Sequence, residues 1–140
     1  MAGFRKILGP DVPNEERTIA ATAFLVGDLL MVSTSTHKLV AATSSVTPVL
    51  LQGGGIVQKA TDGVETKVLI QPIDFNATYE VDAAGDTSTD EDYDRMALTD
   101  LNTVNNSSTT DDTNPCVYQV GVIGATGDRK IKVKFVPCIS

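Results

Sequence analysis

At 140 residues the chain suffices for one domain that buries about two thirds of the surface its unfolded form exposes, without metal or disulfide staples. Eighteen acidic against eleven basic residues give a net charge of -7, a field that repels phosphate backbones and argues against general nucleic-acid binding, leaving only a local basic face open. No run approaches the roughly 18 to 20 apolar residues of a membrane helix, and "MAGFRKILGPDVPNEER" has no following apolar h-region, so a soluble chain made in the cytoplasm, with no membrane partner, is expected.

Residues 1–17 hold Pro10 and Pro13 and an apolar cluster of Phe4, Ile7 and Leu8 between charges. Proline fixes φ and removes a backbone donor, which predicts an extended arm and not a strand or long helix. Apolar anchors on an arm need a surface to dock on, either the arm's own domain or a neighbouring chain.

From Thr18 the texture turns to β-branched and small apolar residues in short runs. "TIAATAFLV" is followed by Gly27-Asp28, a pair suited to a type II′ hairpin, and then by "LLMVST". Leu29 to Val32 are apolar on both faces, which predicts a central strand covered on both sides. "LVAAT" follows a polar turn with His37, the single histidine, at its tip. A catalytic triad would need a carboxylate and a nucleophile at that imidazole, and no Gly-x-Ser-x-Gly elbow supplies one.

"SSVTPVLLQGGG" reads as a linker whose triple glycine, Gly53 to Gly55, marks a sharp bend; no Lys-Ser or Lys-Thr follows to make it a phosphate loop. "IVQKA" and "VETKVLI" flank Asp62-Gly63, the strongest local hairpin signal, and "TYEV" is a further strand. The sequons at Asn76 and Asn106 are read as ordinary turn residues in a cytosolic product.

Residues 82–114 form an acidic insertion with nine of the eighteen acids and one arginine. Met96, Leu98, Leu101 and Val104 lie near helical spacing, predicting one short helix capped by Thr89 or Asp92. Asp90, Asp92 and Asp94 alternate as calcium ligands would. Counted from Asp90, however, the sixth and twelfth loop positions hold Arg95 and Leu101, and counted from Asp86 they hold Glu91 and Ala97, so no EF-hand forms and no metal ligand is assigned. A glycosidase pair is disfavoured by the absence of Trp and by 5% aromatic residues.

In "RKIKVKFVP", Ile131, Val133 and Phe135 alternate with Lys130, Lys132 and Lys134, a strict period of two that predicts one core face and one lysine stripe. It pairs with "VYQVGVI" across "GATGD". Lys130, Lys132 and Lys134 are candidate interface charges, with acids of the same chain or of another copy as counter-ions. Cys116 and Cys138 lie near the outer ends of this hairpin, where antiparallel pairing could bring them together; as only two cysteines with no Cys-x-x-Cys spacing they are read as small apolar residues with free thiols.

The predicted fold is all-β: about eight strands in a small barrel or sandwich spanning 18–140, an N-terminal arm over 1–17, and one short helix in the insertion.

Taken together, the arm, "VGDLLMVSTSTHKLVAAT", "GGGIVQKATDG", "ETKVLIQPIDFNATYEV" and "CVYQVGVIGATGDRKIKVKF" resemble the head decoration, or cement, proteins of tailed bacteriophages over about residues 18 to 136. The resemblance is one of texture. It implies a β-rich structural virion protein, often a homotrimer, that binds the major capsid protein on the outer surface of an assembled capsid and stabilises it. Such a protein has no catalytic residues and no cofactor, and Phe4, Ile7 and Leu8 of the arm become the contacts to the capsid or a neighbouring subunit. A tail-tube or head-fibre subunit is the alternative within the virion. From a different class, a calcium-binding module or small metal-dependent hydrolase would use Asp86, Asp90, Asp92 and Asp94.

Overall fold

A computed structural model describes residues 3–106 and 115–137, and these are almost entirely strand and turn, in keeping with the all-β expectation. Twelve short strands are present: β1 (Arg5–Leu8), β2 (Glu15–Thr18), β3 (Leu29–Val32), β4 (Leu39–Ala41), β5 (Gly55–Val57), β6 (Lys67–Pro72), β7 (Thr78–Ala83), β8 (Arg95–Met96), β9 (Leu98–Asp100), β10 (Thr103–Val104), β11 (Val117–Ile123) and β12 (Lys130–Phe135). Among the described residues the single α-helical turn, α1, is Pro48–Leu51.

The strands make two sheets. The smaller runs β2-β6-β5-β3-β4, and a bridge between Ile19 and Leu39 brings its outer strands together into a nearly closed barrel. The larger runs β8-β11-β12-β7-β10-β9; β7 carries β12 along one edge, and β1 and β10 end to end along the other.

Alternation along β3 and β5 explains how the sheets share material. Leu30 and Val57 fill the barrel with Ile19, Phe24, Leu39, Val68 and Ile70. Leu29 and Ile56 face the other way, into a second core built on Tyr79, Val81, Ile131, Val133 and Phe135 of the larger sheet. Each of β3 and β5 is therefore a wall between two cores, which is why Leu29 to Val32 read as apolar on both faces. The triple glycine lies against this wall. A Cβ on Gly54 would collide with the Leu30 carbonyl oxygen, and one on Gly55 would come within 2.5 Å of the Gln71 carbonyl oxygen, so backbones approach here more closely than any side chain permits.

Three hairpins fall where sequence chemistry placed them. β3 and β4 pair around residues 33–38, with His37 exposed in the left-handed region at φ 60° and its N–H donated to the Ser33 carbonyl. β5 and β6 pair around 58–66; Gly63 alone of the Asp62-Gly63 pair has positive φ, so a wider loop replaces the type I′ turn, held by the Asp62 carboxylate accepting from Val64 N–H. β11 and β12 pair around Gly124 and the 3₁₀ turn Thr126–Asp128, with Ile131, Val133 and Phe135 buried as the period of two required.

Four expectations are corrected. Residues 5–8 and 15–18 are strands and not a free arm: the prolines lie between β1 and β2, so each strand retains the donors its ladder needs, one on each sheet. Gly27 with Asp28 closes no hairpin; Asp28 N–H donates to Leu25 O with Gly27 at φ 99°, a type II arrangement that turns an irregular segment into β3. The insertion holds no α-helix among its described residues. Met96, Leu98 and Val104 are buried from β8, β9 and β10, with Leu101 in the turn, because pairing with β11 and β7 satisfies these backbones better than a helix of marginal length. The α-helical turn instead falls in the supposed linker, where Pro48 suits a first helical position and Leu51 is buried.

Candidate functional site

The N-terminal strand is seated at both ends by glycines in conformations other residues rarely adopt. Gly3, at φ 98°, lets the chain pass so close to Gly27 that a Cβ would lie 2.6 Å from its carbonyl oxygen, and the next residue, Phe4, donates its N–H to that same oxygen at 2.8 Å. Gly9, at φ 137°, does the same against Ala77, where a Cβ would come within 2.8 Å of the alanine methyl. Between them Phe4 is buried, its ring 5.4 Å from that of Phe135, which also meets Tyr79 edge-on at 5.1 Å. Phe4 is thus a core residue and presents no surface to a partner; alternation turns it inward.

β1 pairs antiparallel with β7, Arg5 opposite Glu80 and Lys6 opposite Tyr79, and then slips so that Leu8 faces Thr78. The extra residue, Ile7, is a β-bulge, and it leaves consecutive apolar side chains outward: Ile7 is 37% and Leu8 70% exposed. Charges fix the strand on either side. Arg5 Nε donates to Glu80 Oε1 at 2.7 Å, and this hydrogen bond holds the Glu80 carboxyl below its usual range. Lys6 turns inward and donates to the Pro10 carbonyl at 2.8 Å, with Asp74 at 3.9 Å. A cleft of about 320 Å³ lies between this strand and the barrel, lined by Arg5, Lys6, Asp11, Gln58 and Gln71 among others.

The lysine stripe stands on the outward face of the larger sheet. Lys130 donates to Asp82, its cross-strand neighbour, at 2.8 Å, so acid at the start of the insertion and the stripe do meet within one chain. Lys132 lies opposite Glu80, whose carboxylate is taken by Arg5, and Lys134 lies opposite Tyr118. Tyr118 in turn faces Arg95 on β8. Sequence reasoning did not reach Arg95 or Tyr118, because two strands distant in sequence bring them to the stripe.

The acids of the insertion are dispersed. Asp86 pairs with Arg129 at 3.1 Å, and Asp92 accepts from the buried Gln119 amide at 2.8 Å. That amide also donates to the Ser88 carbonyl at 2.8 Å; with two acceptors it fixes the 3₁₀ turn Thr89–Glu91 against β11. Burial, followed by the like charges of Asp94 and Asp90, raises the Glu91 carboxyl, against hydrogen bonds from Ser88 and Asn106. Among the described residues no three His, Cys, Asp or Glu side chains converge as a metal site would require. Cys116 is buried, and burial pushes its thiol up to about 12; Cys138 lies outside the described residues. No helix is long and apolar enough to cross a membrane among those residues.

Comparison with known proteins gives no family model, no curated protein and no solved structure that matches this chain.

Proposed function

We propose that the chain is a structural virion protein that attaches to the major capsid protein on the outer surface of an assembled phage capsid and stabilises the shell. The observation that carries this reading is the mount of β1: Ile7 and Leu8 ride outward on a bulged strand whose backbone is locked by Gly3, Phe4 and Gly9. Single exposed apolar residues are ordinary on protein surfaces, whereas adjacent ones on a seat fixed at both ends lose little further freedom on docking. A modest contact of this kind suits an array, where many copies act together on one particle. The resemblance in strand texture to capsid decoration proteins supports the same reading.

The test mixes purified protein with undecorated heads and pellets them. Native protein is expected in the pellet, and an Ile7→Asp, Leu8→Asp variant with native circular dichroism in the supernatant. Native protein that stays wholly in the supernatant across salt and temperature overturns the proposal, and rings or filaments formed by the protein alone and persisting near about 300 mM salt, where charge contacts are screened, point instead to a tail-tube or head-fibre subunit.

A further inference from the structure

We propose that the outward face of the larger sheet, centred on Arg95, Tyr118, Lys132 and Lys134, docks the acidic turn at residues 89–94 of a second copy of this chain. Register places the row. Tyr118 lies directly opposite Arg95 on one side and Lys134 on the other, so the three side chains leave the same face with Cβ atoms about 5 Å apart, and Lys132 follows two residues along β12. Gly121, opposite Lys132, leaves the lysine stem room to lie along the sheet; a Cβ there would already be 3.5 Å from its Cδ. The ring of Tyr118 can hold the flanking cations by cation–π contact, and the charges of Arg95 and Lys134 are what an anion would meet.

Arg5 is committed to Glu80 and Lys130 to Asp82, while Arg95, Lys132 and Lys134 form no ion pair among the described residues. The chain is nevertheless strongly acidic, and its densest run of carboxylates is the turn carrying Asp90, Glu91, Asp92 and Asp94. That turn is held by the Gln119 amide, which points inward from β11, whereas Tyr118 beside it points outward. The turn continues β8 along the edge of β11, with the Asp94 carbonyl accepting from Gln119 N–H, yet among the described residues no ion pair forms between its carboxylates and Arg95, Lys132 or Lys134 of the same copy. Asp92 accepts from Gln119 and Glu91 from Ser88 and Asn106, which leaves Asp90 and Asp94 as the carboxylates of the turn to face Arg95, Lys132 and Lys134. A nucleic acid is the poorer occupant, because the net charge of -7 opposes a long polyphosphate everywhere outside this row.

Two different surfaces in contact make a head-to-tail association, and it is independent of shell binding because it is measured with no capsid present. At about 20 mM salt the mass in light scattering is expected to rise with concentration above the 14.8 kDa of one chain, and to return to it near 300 mM salt as screening shortens to a few ångströms. An Arg95→Glu, Lys134→Glu variant and an Asp90→Lys, Asp94→Lys variant are each expected to stay monomeric. Their equimolar mixture recovers dimers, since each retains the surface the other has lost. A Lys134→Gln, Arg95→Gln variant repeats the first arm with less perturbation should charge reversal disturb folding. A native protein monomeric at every concentration in low salt overturns the proposal, as does association that survives the reversals, a mixture that remains monomeric, or a row that binds a DNA duplex while the protein does not self-associate.

Discussion

Replacing Phe4 by alanine separates anchoring from attachment. The ring is 2% exposed and packs on Phe135 and, through it, on the aromatic group with Tyr79 and Phe75. A buried aromatic side chain removes about 150 to 250 Å² from water, and the cavity left by its truncation adds to the lost transfer energy, which places the cost at about 3–5 kcal/mol. With a urea dependence of about 2 kcal/mol per molar, the midpoint of unfolding falls by about 2 M. Leu8→Ala is the control: a side chain 70% exposed should move the midpoint by no more than about 0.5 kcal/mol equivalent. The assay is urea titration followed by far-ultraviolet circular dichroism, since the chain has no tryptophan. A Phe4→Ala protein that unfolds at the native midpoint with the native slope refutes the seat described for β1.

Acid stability tests the Arg5–Glu80 pair. The hydrogen bond from Arg5 depresses the Glu80 carboxyl, so its contribution is present above the unfolded-state value and is lost as pH falls through the folded one. Glu91, raised by burial, acts in the opposite sense, contributing at low pH and losing that contribution as pH rises through its folded value. From neutrality to about pH 3 the Glu80→Gln variant should therefore lose less stability than the native protein, and Glu91→Gln more, both read from urea midpoints along the pH series; identical slopes in all three contradict the assignment. At Cys116 the buried thiol, pushed up to about 12, is expected to resist iodoacetamide at pH 8 in the native protein and to react in urea, with peptide mass mapping to isolate this site. Labelling at the rate of a free thiol would show that the core opens there.

What the sequence made legible was local. The last hairpin declared itself through a period of two with lysine on one face, and β3 through apolar residues on both, because each pattern reports burial that its own residues complete. β1 and β2 were hidden for the converse reason: each pairs with a strand far along the chain, β1 with β7 and β2 with β6, and two prolines between them imitate an extended arm. Met96, Leu98, Leu101 and Val104 fit helical spacing and a set of two- and three-residue strands equally well. The local signal that distinguishes them is Asp100, whose carboxylate accepts from Asn102 N–H and closes the turn between β9 and β10. Ile7, Leu8 and the lysines were visible as residue types, whereas the row that joins Lys134 to Tyr118 and Arg95 exists only once β8 and β12 flank β11.

The ring contact between Phe4 and Phe135 sets an order on biosynthesis. Translation delivers Phe4 well before Phe135, which follows only after β11 has been made, and β7, the strand that β1 pairs with, also awaits β12 on its far edge. Until then the nascent chain holds Phe4 without its aromatic partner, leaving an apolar group open to cellular chaperones or to neighbouring chains on the same polysome. Long-range closure of this kind slows folding, so the yield of native protein in a heterologous host should depend on the rate at which the final hairpin emerges as well as on the stability it confers.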